Sequence, residues 1–370
     1  MNSKNLINKL PYNIPKNIVL KLNSSSNLSD KLNIIRNWVH YNKDITHEER
    51  LQYHQPILNI AIENKFLEQE AISLSNIVKI HDRLGQFKES IRIIENVQKI
   101  WIKLCLKEKK YYNNLIISYC DKSVTFRLQN RLDLALETLY ECYEFIKKNN
   151  YQVKKPLIIL FTDLGSIYEK LLDYPAALNY FNESLNIINK SNNPNDYLEN
   201  KIICHINIGN IYKETHKLQL ACKEYKKAIN LISDELKYYQ QYIIANINLG
   251  QVFSELKQYK KALLIYNKAL LLCVKSGSNM DLGFLYVLIA EVYFEIKDIS
   301  KYDKFIKKGN NLVIKAAYPR DMLYLNKLLF KYYILKNNIP KAISTLFKSL
   351  NICKKNKLDN HKLGIYQDIS

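Results

Sequence analysis

The chain has 370 residues, and its 47% hydrophobic content is enough for a large core and excludes a disordered polypeptide. It contains only 8 Gly and 8 Pro, too few for the turns of a many-stranded sheet protein, so an all-α fold is predicted. The 55 Lys and Arg residues against 35 Asp and Glu give a net charge of +20, which could select nucleic acid, an anionic membrane surface or an acidic partner, although the lysines are dispersed as on an ordinary solvated surface.

Residues 1–30 are predicted to be an N-terminal tail, because Pro11, Pro15 and a run of serines break their apolar pattern. The segment lacks the continuous apolar stretch of a signal peptide. No run in the chain reaches the roughly 18 apolar residues of a membrane span. The seven cysteines are widely spaced without a C-x-x-C pair, which favours buried thiols in a reducing compartment. We therefore expect a cytoplasmic protein without a membrane span.

Residues 31–69 are predicted to form a degenerate helix pair. Thr46 and Glu49 have the spacing of a capping box at the start of its second helix. The segment also contains three histidines seven residues apart, which are His40, His47 and His54. A predicted break in the helix separates the first histidine from the other two, so we expect no metal site.

Residues 70–355 contain internal repeats, and the clearest copies are residues 162–185, 206–229 and 247–270. In each copy an aromatic residue follows a Gly by three positions, and an Ala follows the same Gly by twelve. Apolar residues recur at helical spacing on both sides of a short polar turn. Each copy is therefore predicted to be a pair of antiparallel helices.

The Ala of each copy serves as a register mark, and weaker copies extend the series to seven pairs. The marks stand 40 to 45 residues apart, at Ser90, Ala135, Ala177, Ala221, Ala262, Tyr302 and Ala342. Gly165, Gly209 and Gly250 fall in helix interiors, where Gly costs about 1 kcal/mol relative to Ala. We expect these glycines to let the register Ala of the second helix approach closely.

Proline positions agree with this register. Pro175 and Pro340 fall at the start of second helices, where Pro is tolerated. Pro156, Pro194 and Pro319 fall between one pair and the next. No proline is expected inside a helix.

The Leu-Gly-x-x-Tyr pattern of the first helix and the Ala of the second resemble the tetratricopeptide repeat family. The resemblance covers about residues 70–355 and implies a right-handed superhelix, an α-solenoid of about seven to eight antiparallel helix pairs. The basic repeat of the family has about 34 residues, so the longer steps are similar to those of bacterial signalling proteins, including peptide-pheromone receptors and the sensor modules of kinases and nucleotide cyclases. Outside the clear copies the Gly is replaced, by Val78, Ser123, Ala290 and Phe330.

The resemblance also implies a ligand groove. In this family the residues two before and one after the Gly face the concave surface, where amides can bond to the backbone of an extended peptide. Lys79, Lys213, Lys327 and Lys331 would add positive charge to the groove. The candidate groove residues are Asp163, Ser166, Asn207, Asn210, Lys213, Asn248 and Gln251.

The clamp that this family uses for C-terminal carboxylates is matched only in part. Asn210 and Asn248 fit its two amide places. Ile206, Phe284 and Leu288 stand where basic residues would be required. Recognition of a terminal carboxylate in that manner is therefore not expected.

No catalytic motif is present in the sequence: it lacks a phosphate-binding loop, a dinucleotide fingerprint, a zinc-protease motif, a serine-hydrolase elbow and an EF-hand loop. We therefore expect neither enzymatic activity nor a cofactor. The favoured function is binding of a peptide or protein segment, as a sensor or scaffold in cytoplasmic signal transduction. An intracellular receptor for a short signalling peptide and a basic RNA-binding solenoid are the alternatives, with nucleic acid the least favoured partner.

Residues 356–370 are predicted to be either the first helix of a further pair or a capping helix. Leu363, Tyr366 and Ile369 recur at three-residue spacing and would face nothing that follows. The favoured hypothesis is a longer protein with a C-terminal effector domain, such as a kinase or cyclase. A cap on the last pair is the alternative.

Overall fold

A computed structural model describes residues 3–11, 14–42, 45–151, 154–276, 279–316 and 318–356. Across these residues the secondary structure is helical, without a β-strand, so the predicted all-α class is confirmed. The chain divides into two units, Met1–Tyr197 and Leu198–Ser370.

The described residues of unit 1 form ten α-helices and two 3₁₀ turns, at Lys109–Tyr111 and Pro194–Tyr197. The helices are α1 Ser3–Ile7, α2 Lys16–Ser24, α3 Leu28–Tyr41, α4 His47–Glu63, α5 Leu67–Arg83, α6 Phe87–Cys105, α7 Tyr112–Leu128, α8 Leu132–Lys148, α9 Lys154–Lys170 and α10 Tyr174–Asn189. Those of unit 2 are α11 Leu198–Glu214, α12 Leu218–Asn230, α13 Tyr239–Glu255, α14 Tyr259–Ser276, α15 Asn279–Glu295, α16 Ile299–Ala316, α17 Pro319–Leu335 and α18 Ile339–Asn356.

Consecutive helices from α5 to α18 pack as seven pairs, which confirms the repeat prediction. The first helix of a pair also contacts the first helix of the next pair within the same unit, as α5, α7 and α9 do in unit 1 and α11, α13, α15 and α17 do in unit 2. Each unit therefore has one surface built from first helices. The candidate groove residues all lie on these helices.

Every pair turns at a residue with a left-handed backbone, five positions before its register mark. These residues have φ between 52 and 72°, and they are Gly85, Asn130, Leu172, His216, Lys257, Lys297 and Asn337. After α13, the Lys257 amide donates to the Ser254 carbonyl and the Gln258 amide donates to the Phe253 carbonyl at 2.8 Å. This is a Schellman cap, which normally carries Gly at the left-handed position. Because only one of the seven residues is Gly, sequence signals for this turn were weak.

The interior glycines pack closely against an aromatic ring that the sequence did not identify as their neighbour. Each one faces a ring four positions after the register Ala, in three contacts: Gly165 with Phe181, Gly209 with Tyr225, and Gly250 with Tyr266. A Cβ atom at Gly209 would lie 2.6 Å from the Cε1 atom of Tyr225, far inside normal contact distance. The glycine therefore accommodates a buried ring.

Two proline predictions need correction. Pro56 lies inside α4, although no proline was expected in a helix interior. A helix can continue through Pro only by losing one backbone hydrogen bond, and neighbouring packing must offset that loss. The flanking residues Tyr53, Ile57 and Ile60 are all buried, which supplies this packing. Pro156 lies in the first turn of α9 rather than between pairs.

The segment expected as a tail is partly helical, because α1 and α2 lie within it. Leu6 and Leu22 are fully buried in a cluster with Leu32 and Ile35 of α3. Thr46 caps α4 with the predicted capping box. Residues 357–370, on which the prediction of a partial repeat or cap rests, lie outside the described residues.

Within the described ranges, no helix is both long and apolar enough to cross a membrane. None of the seven cysteines forms a disulfide, and five of them are buried.

Candidate functional site

The amides predicted for the groove are brought together on α11 and α13 of unit 2. The Asn248 Nδ2 atom donates to Asn210 Oδ1 at 2.9 Å, and the Tyr225 hydroxyl donates to the same oxygen at 2.8 Å. Asn248 is only 8% exposed, whereas Asn207 and Asn210 are half-buried. Asn210 and Asn248 therefore bond within the fold instead of standing open toward a ligand.

The other two predicted residues of unit 2 also contact each other. Lys213 Nζ donates to Gln251 Oε1 at 3.1 Å. The Lys213 side chain is only 13% exposed, although it is charged. Both residues line a cleft, so this part of the predicted set adjoins open space.

Asp163 and Ser166 lie on α9 of unit 1. The Ser166 hydroxyl donates to the Thr162 carbonyl of its own helix at 2.9 Å. Burial raises the pKa of Asp163 to about 7, against the opposing effect of Arg127 and with a further contribution from Asp121. These two residues belong to unit 1, whereas the groove amides belong to unit 2.

The cleft of unit 2 has a volume of about 490 Å³. First helices of four consecutive pairs line it: α11 contributes Lys213, α13 contributes Gln251 and Glu255, α15 contributes Glu291, and α17 contributes the largest share. The α17 residues are Arg320, Tyr324, Lys327, Leu328 and Lys331. The cleft thus follows from the packing of first helices side by side.

Three cations of α17 line this cleft and form no ion pair among the described residues, although four glutamates line the cleft as well, Glu214, Glu255, Glu291 and Glu295. Arg320, Lys327 and Lys331 are spaced by seven and four positions, so they share one face of the helix. They extend over about 16 Å, given a rise of about 1.5 Å per residue, which is close to the length of five extended residues of a peptide. This row offers anion-binding groups to an extended segment.

Carboxyl and phenol groups lie beside that row. The Tyr324 hydroxyl donates to Glu291 Oε2 at 2.5 Å. Burial raises the pKa of Glu291, an effect that Lys331 and Lys327 oppose. Burial also raises the pKa of Tyr266, whose hydroxyl interacts electrostatically with Glu291 and Glu255 and has no hydrogen-bond partner among the described residues.

Of the lining residues of α15 and α17, Lys327 and Lys331 were expected to give the groove positive charge, whereas Glu291, Arg320 and Tyr324 were not predicted. Glu291 stands one position after Ala290, as a groove residue stands one position after the Gly of a clear repeat. It was not predicted because Ala290 replaces that Gly. Tyr324 has no motif of its own. In the part of the chain that is described, no group of three or more His, Cys, Asp or Glu residues is arranged to hold a metal ion.

A family model described as "Tetratricopeptide repeat" matches residues 201–273, which span the helices that carry the groove amides. No curated protein sequence matches the chain.

Solved structures with the same fold include a signal transduction ATPase with a tetratricopeptide repeat sensor from Pyrococcus horikoshii, at 16% identity and a TM-score of 0.58, covering 98% of this chain and 54% of that one. A Rap protein complexed with Competence and Sporulation Factor is similar at 10% identity and a TM-score of 0.55, covering 79% and 78%. Aspartyl phosphate phosphatase F from Bacillus subtilis is similar at 14% identity and a TM-score of 0.52, covering 94% of both chains. The resemblance is thus confirmed: residues 201–273 match the tetratricopeptide repeat family, and the chain shares the helix-pair fold of these solved structures.

Proposed function

We propose that this chain is a non-catalytic binding protein whose unit 2 cleft holds an extended peptide or protein segment with acidic side chains. The observation that carries the proposal is the row of Arg320, Lys327 and Lys331 on one helix face beside the cleft. A cytoplasmic sensor or scaffold role, as an intracellular peptide receptor or as one part of a signalling assembly, is consistent with it.

Two features of the cleft support an extended ligand over a compact one. First helices of four pairs contribute to its lining, so the surface is elongated across the repeats. Gln251 and the half-buried Lys213 supply hydrogen-bonding groups that can pair with a peptide backbone whatever its sequence. The cations of α17 would then select carboxylates among the side chains.

Two of the similar structures are consistent with a bound segment. One of them is a Rap protein in complex with Competence and Sporulation Factor, and another carries a repeat domain as a sensor. Because their identities to this chain are low, the support for peptide binding comes from the cleft itself.

The proposal can be tested by selecting 12-residue peptides from a random display library on the immobilised full chain. We expect the selected peptides to be rich in Asp and Glu, and we expect Lys327→Ala/Lys331→Ala to weaken their binding about ten- to a hundredfold. The matched control is Lys304→Ala/Lys307→Ala, which removes two exposed charges from α16 and should change the Kd by less than about twofold.

Selection of peptides without an acidic preference, or equal weakening by both double variants, would overturn the proposal. Equal weakening would mean that net charge, and not this cleft, attracts the peptide.

A further inference from the structure

A second cavity lies in unit 1, and its chemistry differs from that of the unit 2 cleft. Its volume is about 280 Å³, and its walls come from α8, α9 and α10. Four aromatic rings, a buried leucine and one carboxylate line it, and we call this set the aromatic pocket: Tyr140, Tyr143, Phe161, Tyr180, Leu164 and Glu183.

The rings of the aromatic pocket are held by contacts with one another. Tyr140 and Tyr168 share a hydroxyl hydrogen bond of 2.6 Å, although Tyr140 is 39% exposed. The rings of Tyr168 and Tyr180 stack with centroids 5.5 Å apart. Phe161 lies 6.0 Å from Tyr180, between centroids, and 6.1 Å from Tyr143. The pocket is therefore a preformed set of ring surfaces.

Two of the three helices around this pocket are acidic in a protein that is basic as a whole. Helix α8 carries four carboxylates and two lysines, and α10 carries one carboxylate, Glu183, and no basic residue. These two helices together have a net charge of −3, from five negative and two positive groups, whereas α9 carries three lysines and two carboxylates. Both lysines of α8 stand at its C-terminal end, and the Lys147 Nζ atom lies 4.8 Å from the centroid of the Tyr143 ring, so a cation already contacts one ring of the pocket.

We propose that the aromatic pocket binds a cationic side chain, an ammonium or guanidinium group of a partner segment, between the faces of its rings and the carboxylate of Glu183. Ring faces attract a cation that comes within about 6 Å of their centroids, and a nearby carboxylate adds to this attraction. Glu183 is exposed at the mouth of the pocket. A purely apolar side chain would gain nothing from Glu183.

The probes are four peptides that differ in one residue, acetyl-Gly-Gly-X-Gly-Gly-amide, in which X is Arg, Lys, citrulline or norleucine. Their binding to the full chain is measured by NMR titration. We expect the Arg and Lys peptides to bind about three- to thirtyfold more tightly than their neutral counterparts. Glu183→Gln should reduce that preference, whereas Glu137→Gln, which removes an exposed charge from α8 outside the pocket lining, should preserve it.

Ring character is tested by Tyr180→Phe, which keeps the aromatic face and should retain binding, and by Tyr180→Leu, which should lose it. Thermal melting checks that each variant is folded. Equal or tighter binding of the norleucine peptide would overturn the proposal, and so would equal effects of the two glutamate substitutions or no binding of the Arg and Lys peptides. The unit 2 cleft is not required for any of these outcomes.

Discussion

Burial changes the pKa of single side chains in this chain. Asp163 is half-buried on α9, and its pKa is raised to about 7 mainly because burial disfavours its charged form. A carboxyl whose pKa is raised in the folded state stabilises the fold more in its protonated form than in its charged form. Its contribution to stability is therefore fully present below the unfolded pKa, near 4, and is lost as the pH rises through about 7.

Asp163→Asn should remove this pH dependence, because an amide stays neutral at every pH. We expect the variant to match the original chain at pH 4 and to exceed it in unfolding free energy by about 1 to 3 kcal/mol at pH 8. Urea unfolding at both pH values measures the difference. Lower stability of the variant at pH 8 would show instead that Arg127 makes the charged form favourable.

The left-handed turn residues give a second prediction at this scale. Lys257 has φ of 58° and is exposed, so its side chain contributes little packing while its backbone is strained. Lys257→Gly should raise the unfolding free energy by about 0.5 to 1 kcal/mol, since Gly adopts this conformation without a steric penalty. Lys268→Gly, at an exposed position in the interior of α14, serves as the opposite control and should destabilise by about 1 kcal/mol. A loss of stability in Lys257→Gly would contradict the account of the turn.

At the scale of helices, the contact between first and second helix depends on a glycine and a ring. A Cβ atom at position 250 would overlap the ring of Tyr266, which is fully buried and cannot move aside without opening the core. Gly250→Ala should therefore lower the unfolding free energy by about 1 to 3 kcal/mol, despite the higher helix propensity of Ala.

The matched variant is Gly250→Ala/Tyr266→Leu, in which the smaller side chain leaves room for the methyl group. The combined loss should be smaller than the sum of the two single losses, and unfolding of all three variants measures this coupling. Strict additivity would show that the glycine and the ring do not share the contact.

Much of the architecture could be predicted because periodicity fixes helix faces. The register from Ser90 to Ala342 placed seven helix pairs correctly. The partner of each glycine could not be predicted in the same way, since Tyr225 and Ala221 lie on the same helix face and spacing does not say which of them reaches Gly209. The cap residues were missed because Leu172 and His216 stand where Gly is usual.

The lining of the candidate cleft was predictable only in part, and Lys327 and Lys331 were predicted for it by their charge. Lys213 and Gln251 were predicted and line the cleft, whereas Asn210 and Asn248 bond to each other. Whether an amide faces a ligand or its neighbour depends on the distance between adjacent first helices, which sequence does not give. Glu291 was missed because its repeat lacks the marker Gly.

For the whole molecule, the net charge of +20 raises the question of nucleic-acid binding. If the chain selects an acidic segment through α17, arbitrary RNA should bind weakly at low and at high salt. Titration with RNA at about 50 and about 200 mM salt tests this expectation, because phosphate contacts are lost over that range. Tight RNA binding at the lower salt concentration that collapses at the higher one would favour the basic solenoid alternative.

Photo-crosslinking tests most directly whether the cleft of unit 2 contacts a bound segment. An acidic peptide selected on the full chain is synthesised with a benzophenone side chain, bound, irradiated and digested, and the attached residues are identified by mass spectrometry. The cleft account predicts attachment on the first helices α13, α15 and α17, near Gln251, Glu291 and Lys327. Attachment confined to the second helices of unit 2, or to unit 1, would contradict it.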